Sequence, residues 1–150
     1  MTDTTQTARY FALFNEIGII EQLGRNVLEA QLPRGIIAPH FTVLNHLIRV
    51  RDGQTPLALA RAFQLPKTSV THTLAGLQKH GLVDIRPNPR DARSKCVWIT
   101  AAGRALRDDT IAALTPFLAA AAEVVPPADL DRVLPVLEKL RQYLDQARDD

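Results

Sequence analysis

The chain has 150 residues, 46% hydrophobic and 23% charged, which fits one globular domain with its own core and leaves no room for two independent ones. Its net charge is +2, no apolar run approaches the ~18 residues of a membrane span, and Met1 to Ala8 lacks the basic-then-apolar pattern of a secretory signal. A single cysteine excludes an internal disulfide, so the expected address is the cytoplasm.

Residues 1–8 read as a frayed tail. From Arg9 to Gln31, Tyr10, Leu13, Phe14, Ile17, Ile20, Leu23, Val27 and Leu28 recur at three- and four-residue steps, the pattern of a long amphipathic helix. It ends where Pro33 and Gly35 interrupt further helix. A second helix is expected over Pro39–Val50, followed by a turn at Arg51-Asp52-Gly53. Thr55 then offers an N-cap and Pro56 a first helical position for a short alanine-rich helix ending at Phe63. After the break at Gln64-Leu65-Pro66, a fourth helix runs from Lys67 to His80, buries Val70, Leu74 and Leu77, and stops at Gly81.

The period changes after Gly81. Leu82–Arg86 and Lys95–Ile99 have strand character, and Asn88-Pro89-Arg90-Asp91 supplies turn residues between them. Thr100 caps a helix expected to run from Ala101 to Val125 with a kink at Pro116. Pro126-Pro127 opens a last helix to Ala147, with a bend expected at Pro135. The fold class is mainly α with one small β-hairpin: a helix-turn-helix followed by a wing, flanked by helices at both ends.

Charge falls unevenly on this scheme. Seven Lys/Arg and two Asp/Glu lie between Arg61 and Lys95, a local net of +5, while eleven basic and fourteen acidic residues leave the rest at −3. Such a segment suits a phosphate-binding surface, although a solvated face would show the same charges. In a helix-turn-helix the second helix enters the major groove of DNA, which would turn Lys67, Thr68, Ser69, Thr71, His72 and Thr73 toward base edges and phosphates. Hydroxyls can donate or accept there, and Thr methyls can meet the thymine methyl. The hairpin adds Arg86, Arg90, Arg93 and Lys95, a basic loop suited to the minor groove, with Asp91 placed to hold the Arg93 guanidinium.

The stretch Leu77–Gly103 resembles the MarR (multiple antibiotic resistance regulator) family through Gly81-Leu82-Val83, Arg86, Asp91-Ala92-Arg93-Ser94, Ile99-Thr100 and Gly103. The resemblance extends to Leu57–Phe63 and Thr68–Thr71 as supporting and recognition helices. It implies a non-enzymatic transcriptional regulator, with Thr68, Ser69, Thr71 and His72 reading the major groove, Arg93 in the minor groove and Asp91 supporting it. Two departures stand out: His72 where Arg is common, and Pro66-Lys67 in place of a small polar cap. The resemblance also implies a single domain over 1–150, with a DNA-binding lobe at 36–100 and dimerisation helices at 9–35 and 101–148. Double-stranded DNA, a second copy of the chain and a small aromatic or phenolic effector are the implied partners; no cofactor, metal or membrane is. The effector residues are not legible, though Tyr10, Asn15, His40 and Arg49 lie on elements that could line a crevice.

Rival readings are a winged helix used for protein contact, and a redox switch at Cys96. The four histidines, His40, His46, His72 and His80, and the one cysteine form no metal-ligand pattern, and no catalytic grouping stands out.

Overall fold

The computed structural model describes residues 3–148. The chain divides into two compact units, one ending at Ala113 and the other beginning at Leu114. The first holds helices α1 (Thr4–Ala30), α2 (Ala38–Arg49), α3 (Pro56–Phe63), α4 (Lys67–Lys79) and α5 (Ala101–Ala113), with strands β1 (Val83–Asn88) and β2 (Asp91–Ile99) between α4 and α5. The second holds α6 (Thr115–Val124) and α7 (Pro127–Ala147).

The core of the first unit follows from apolar spacing. Val43, Leu44 and Leu47 of α2, Leu59 of α3 and Val70, Leu74 and Leu77 of α4 close over Val83, Val97 and Ile99 of the hairpin. Leu44, Leu59, Leu77 and Val97 are fully enclosed; burying each such side chain contributes about 1.5–3 kcal/mol. The hairpin is antiparallel, pairing Val83 with Ile99 and Ile85 with Val97, and Gln54 adds a bridge to Val97. Asp52 fastens the loop before α3 to the hairpin stem: its Oδ1 accepts from Ile99 N–H at 2.9 Å, and its Oδ2 lies 3.6 Å from Arg104.

The local signals at Thr55, Gly81 and Thr100 act as expected. Thr55 Oγ1 accepts from Ala58 N–H at 3.1 Å, Gly81 adopts φ +69°, and Thr100 Oγ1 accepts from Gly103 N–H at 3.0 Å. Glycine at 103 has a packing reason. A Cβ there would lie 2.8 Å from Ile99 Cγ1 and closer still to the backbone oxygen of Leu82.

Three expectations are corrected. The N-terminal helix starts at Thr4, because Asp3 Oδ1 accepts from Thr5 N–H at 3.0 Å and caps it; within the expected tail 1–8, positions 1 and 2 lie outside the described residues. The helix expected over 101–125 is two helices, with Leu114 between them and Pro116 in the first turn of α6, where a missing N–H costs nothing. The hairpin strands reach further than the apolar runs, so Arg93 stands on β2 and not in the turn, alongside Lys95, which was expected there. α7 runs through Pro135 as one helix.

α1, α6 and α7 contain no buried residue. On α1, Tyr10, Phe11, Ile20 and Leu23 are 59–72% exposed, an apolar stripe too wide to be incidental on a water-facing helix.

Candidate nucleic-acid interface

α4 presents its polar side outward because Val70, Leu74 and Leu77 fix the opposite side in the core. Lys67, Thr68, Ser69, Thr71 and His72 are all exposed, and Thr73 is half-buried. The hydroxyls are not equivalent. Thr71 Oγ1 donates to Lys67 O at 2.9 Å and Thr73 Oγ1 to Ser69 O at 3.1 Å, so each presents lone pairs outward. Pro66 precedes the helix and supplies no side-chain cap, which leaves the positive end of the α4 dipole beside Lys67.

The position of α4 is set partly at Gly76. A Cβ there would come within 2.6 Å of His40 Nε2, while Gly76 O lies 2.9 Å from His80 Nδ1. His40 is buried and structural: its Nδ1 accepts from Ile37 N–H at 3.0 Å at the start of α2. Burial and the neighbouring His80 and His72 push its pKa down.

The wing tip is a self-bonded bulge, where a basic loop was expected. Pro87 pairs with Lys95 and Asn88 with Asp91, so Ala92, Arg93 and Ser94 fall outside the strand register. Side chains hold this bulge. Arg90 N–H donates to Asn88 Oδ1 at 3.0 Å, Arg93 N–H to Asp91 Oδ1 at 3.0 Å, and Asn88 Nδ2 to Ser94 Oγ at 2.8 Å. Asp91 thus supports the backbone of Arg93 more than its guanidinium, whose Nε is 3.4 Å away and whose side chain is 92% exposed. An ion pair so open to water contributes little; the arginine is presented, not gripped. Arg86 sits lower on the stem, 3.4 Å from Asp84 and 5.9 Å above the Trp98 ring. Cys96 is buried in β2, which leaves its thiol covered.

A crevice of about 650 Å³ opens beside α4, lined chiefly by Glu21, Arg25 and Leu28 of α1, Thr42 of α2, Phe63 of α3 and Thr73 of α4. None of Tyr10, Asn15, His40 and Arg49 is among its walls. The sequence carried one signal for it: Gly24 within an otherwise helix-favouring run, where an added Cβ would meet nothing within 4 Å. Among the described residues, no group of three His, Cys, Asp or Glu side chains could hold a metal, and no helix is long and apolar enough to cross a membrane.

Residues 34–94 match the model of the MarR family. A curated relative, the transcriptional activatory protein BadR of Rhodopseudomonas palustris, is 28% identical over 97 residues. The match takes in 63% of this chain, which spans 54% of that relative's length. A mutant MarR from E. coli shares the fold with a TM-score of 0.72 at 24% identity, over 85% of this chain and 95% of that one. BpsR of Bordetella bronchiseptica, solved in connection with regulation of its DNA binding by 6-hydroxynicotinic acid, gives 0.70 at 19% identity, over 87% and 98%.

Proposed function

We propose that the chain, whose residues 34–94 match the MarR family, is a homodimeric transcriptional regulator of that family that binds a pseudo-palindromic DNA operator and is released by a small-molecule effector. The single observation that carries the reading is the pairing of a polar, exposed α4 surface with a prebuilt wing tip that holds Arg93 92% exposed. Lys67, Thr68, Ser69, Thr71, His72 and Thr73 meet the major groove; Arg90 and Arg93 reach the minor groove, with Arg86 and Lys95 at phosphates and Asp91 shaping the tip. The lobe over 36–100 does the binding. Residues 9–35 and 101–148 form the dimer, a role supported by the uncovered apolar residues of α1, α6 and α7. Two-fold symmetry then sets half-sites about one helical turn apart, roughly 34–36 Å. DNA as partner puts the protein in the cytoplasm.

Repression by promoter occlusion is the simplest output. The name of the R. palustris relative describes an activator, and the same dimer would activate from an operator placed upstream of the polymerase site. The crevice beside α4 is the effector site, since a ligand there touches the helix that reads DNA. That BpsR was solved for its response to a small aromatic acid supports an effector of similar size.

The test is selection of bound duplexes from a random pool, then binding of the selected site to Arg90→Ala/Arg93→Ala. A pseudo-palindrome with half-sites one turn apart, lost by the double variant, is expected. Recovery of no sequence preference, or full binding by the variant, refutes the reading.

A further inference from the structure

Three successive residues of β2 are fastened to the loop that leads into α3. Val97 N–H donates to Gln54 O at 2.8 Å, and Ile99 N–H to Asp52 Oδ1 at 2.9 Å. Between them the Trp98 indole lies on Gly53, where a Cβ would stand 2.6 Å from two ring carbons, Cη2 and Cζ2. Gly53 also adopts φ +71°, a conformation that strains any residue with a side chain, and its N–H donates to Asp52 Oδ1 at 3.0 Å. The indole is thereby fixed against residues 52–54, which pass through the Thr55 cap into α3.

Hairpin register brings Arg86 to that ring. Val83, Ile85, Val97 and Ile99 pack on the core, so alternation sends Asp84, Arg86 and Trp98 to the opposite face. Asp84 pairs with Trp98 and Arg86 with Cys96, which makes Arg86 and Trp98 diagonal neighbours, within reach of a long side chain and an aromatic one. The Arg86 guanidinium carbon lies 5.9 Å from the ring centroid, and its Nη2 is 3.4 Å from Asp84 Oδ2. The side chains of Arg86 and Asp84 are both more than half exposed, so neither contact is strong by itself. Their joint effect is orientation. The ring and the carboxylate hold the guanidinium and leave most of its five N–H donors available.

We propose that Trp98 is a positioning residue for DNA binding, an inference that rests on the DNA-binding reading and deepens it. Seated on Gly53, the indole holds Arg86 at a fixed place relative to α3 and to α4, which packs on α3. The guanidinium then meets a backbone phosphate when α4 lies in the major groove. Trp98 itself makes no contact with DNA. It supplies preorganisation: an arginine already oriented loses less side-chain freedom on binding than one on an unsupported stem.

Anisotropy with the selected operator duplex tests this on four proteins at one salt concentration: the wild type, Arg86→Ala, Trp98→Leu and the double variant. In the wild-type background Arg86→Ala should weaken binding about tenfold, as for one hydrogen bond to a charged group. In the Trp98→Leu background the same change should cost about two- to fivefold less. Trp98→Phe keeps an aromatic face and should restore most of the Arg86 effect. Gly53→Ala displaces the indole while retaining both Trp98 and Arg86, and the cost of Arg86→Ala should shrink there too; this cycle replaces the first if urea unfolding shows that Trp98→Leu does not fold. Equal costs of Arg86→Ala with and without the seated indole make Trp98 a packing residue and overturn the proposal. So does an Arg86→Ala variant that binds as the wild type does while Arg90→Ala/Arg93→Ala loses binding, an outcome that leaves the DNA-binding reading standing. If the wild type selects no duplex, that reading falls and takes the positioning role with it.

Discussion

Gly103→Ala separates packing from helix preference at one atom. In the interior of a helix alanine is favoured over glycine by about 1 kcal/mol, so propensity alone makes the variant more stable. Packing opposes it. The added methyl would sit 2.8 Å from Ile99 Cγ1, 3.2 Å from Leu44 Cδ2 and closest of all to Leu82 O. Leu44 and Ile99 are core residues, and Leu82 O cannot rotate away, because it is backbone and accepts from Thr100 N–H at 3.1 Å. Overpacking of this kind costs about 1–3 kcal/mol, and a rigid neighbour places it in the upper part of that range. The expected net loss is about 1–2 kcal/mol, a fall in Tm of roughly 3–7 °C for a chain of this size. Gly24→Ala is the matched control: nothing lies within 4 Å of its Cβ, so it should gain about 0.5–1 kcal/mol. Urea and thermal unfolding of both variants give the measurement. If Gly103→Ala is as stable as Gly24→Ala, the close approach of α5 to the hairpin does not constrain this fold and the reasoning fails.

DNA binding of the wild type, followed by anisotropy, should weaken steeply with salt, and Arg86→Ala/Lys95→Ala should flatten the log–log slope by about 0.9 per phosphate contact removed; an unchanged slope would take these two residues off the phosphates. His40 and His46 both have pKa values pushed down, in each case chiefly by burial. The unfolded chain therefore binds more protons below the ordinary histidine value of about 6.5, and stability, undiminished above it, should fall as pH drops from there toward the folded-state values. A urea midpoint at about pH 5 equal to that at about pH 7.5 would contradict this. Phe11→Glu, at a residue 72% exposed on α1, should convert the dimer to monomer in sedimentation and weaken operator binding with it, since each buried Phe contributes about 1.5–3 kcal/mol and symmetry counts it twice. A dimer that survives would place the interface elsewhere.

What the sequence determined by itself was local. The 3.6-residue spacing of Val70, Leu74 and Leu77 fixes which side of α4 is buried and therefore which of its residues face out. Thr55, Gly81 and Thr100 mark element ends through bonds or backbone angles spanning a few residues. Asp3 carries the same kind of signal but lies ahead of the apolar stripe that marks the helix. The wing motif was legible as residues and not as geometry: that Asp91 supports a backbone N–H, and that Ala92–Ser94 fall outside the pairing, depends on hairpin register.

Tertiary structure decided what depends on residues distant in the chain. Asp52 reaches Ile99 across 47 positions, and Gly76 is reserved for a histidine on α2. The crevice draws its walls from Glu21 to Thr73, residues of four helices that spacing within any one helix does not bring together. Spacing within one helix fixes the direction of a side chain. Which group stands opposite it, and whether its hydrogen bonds are already committed, is set by how the helices cross.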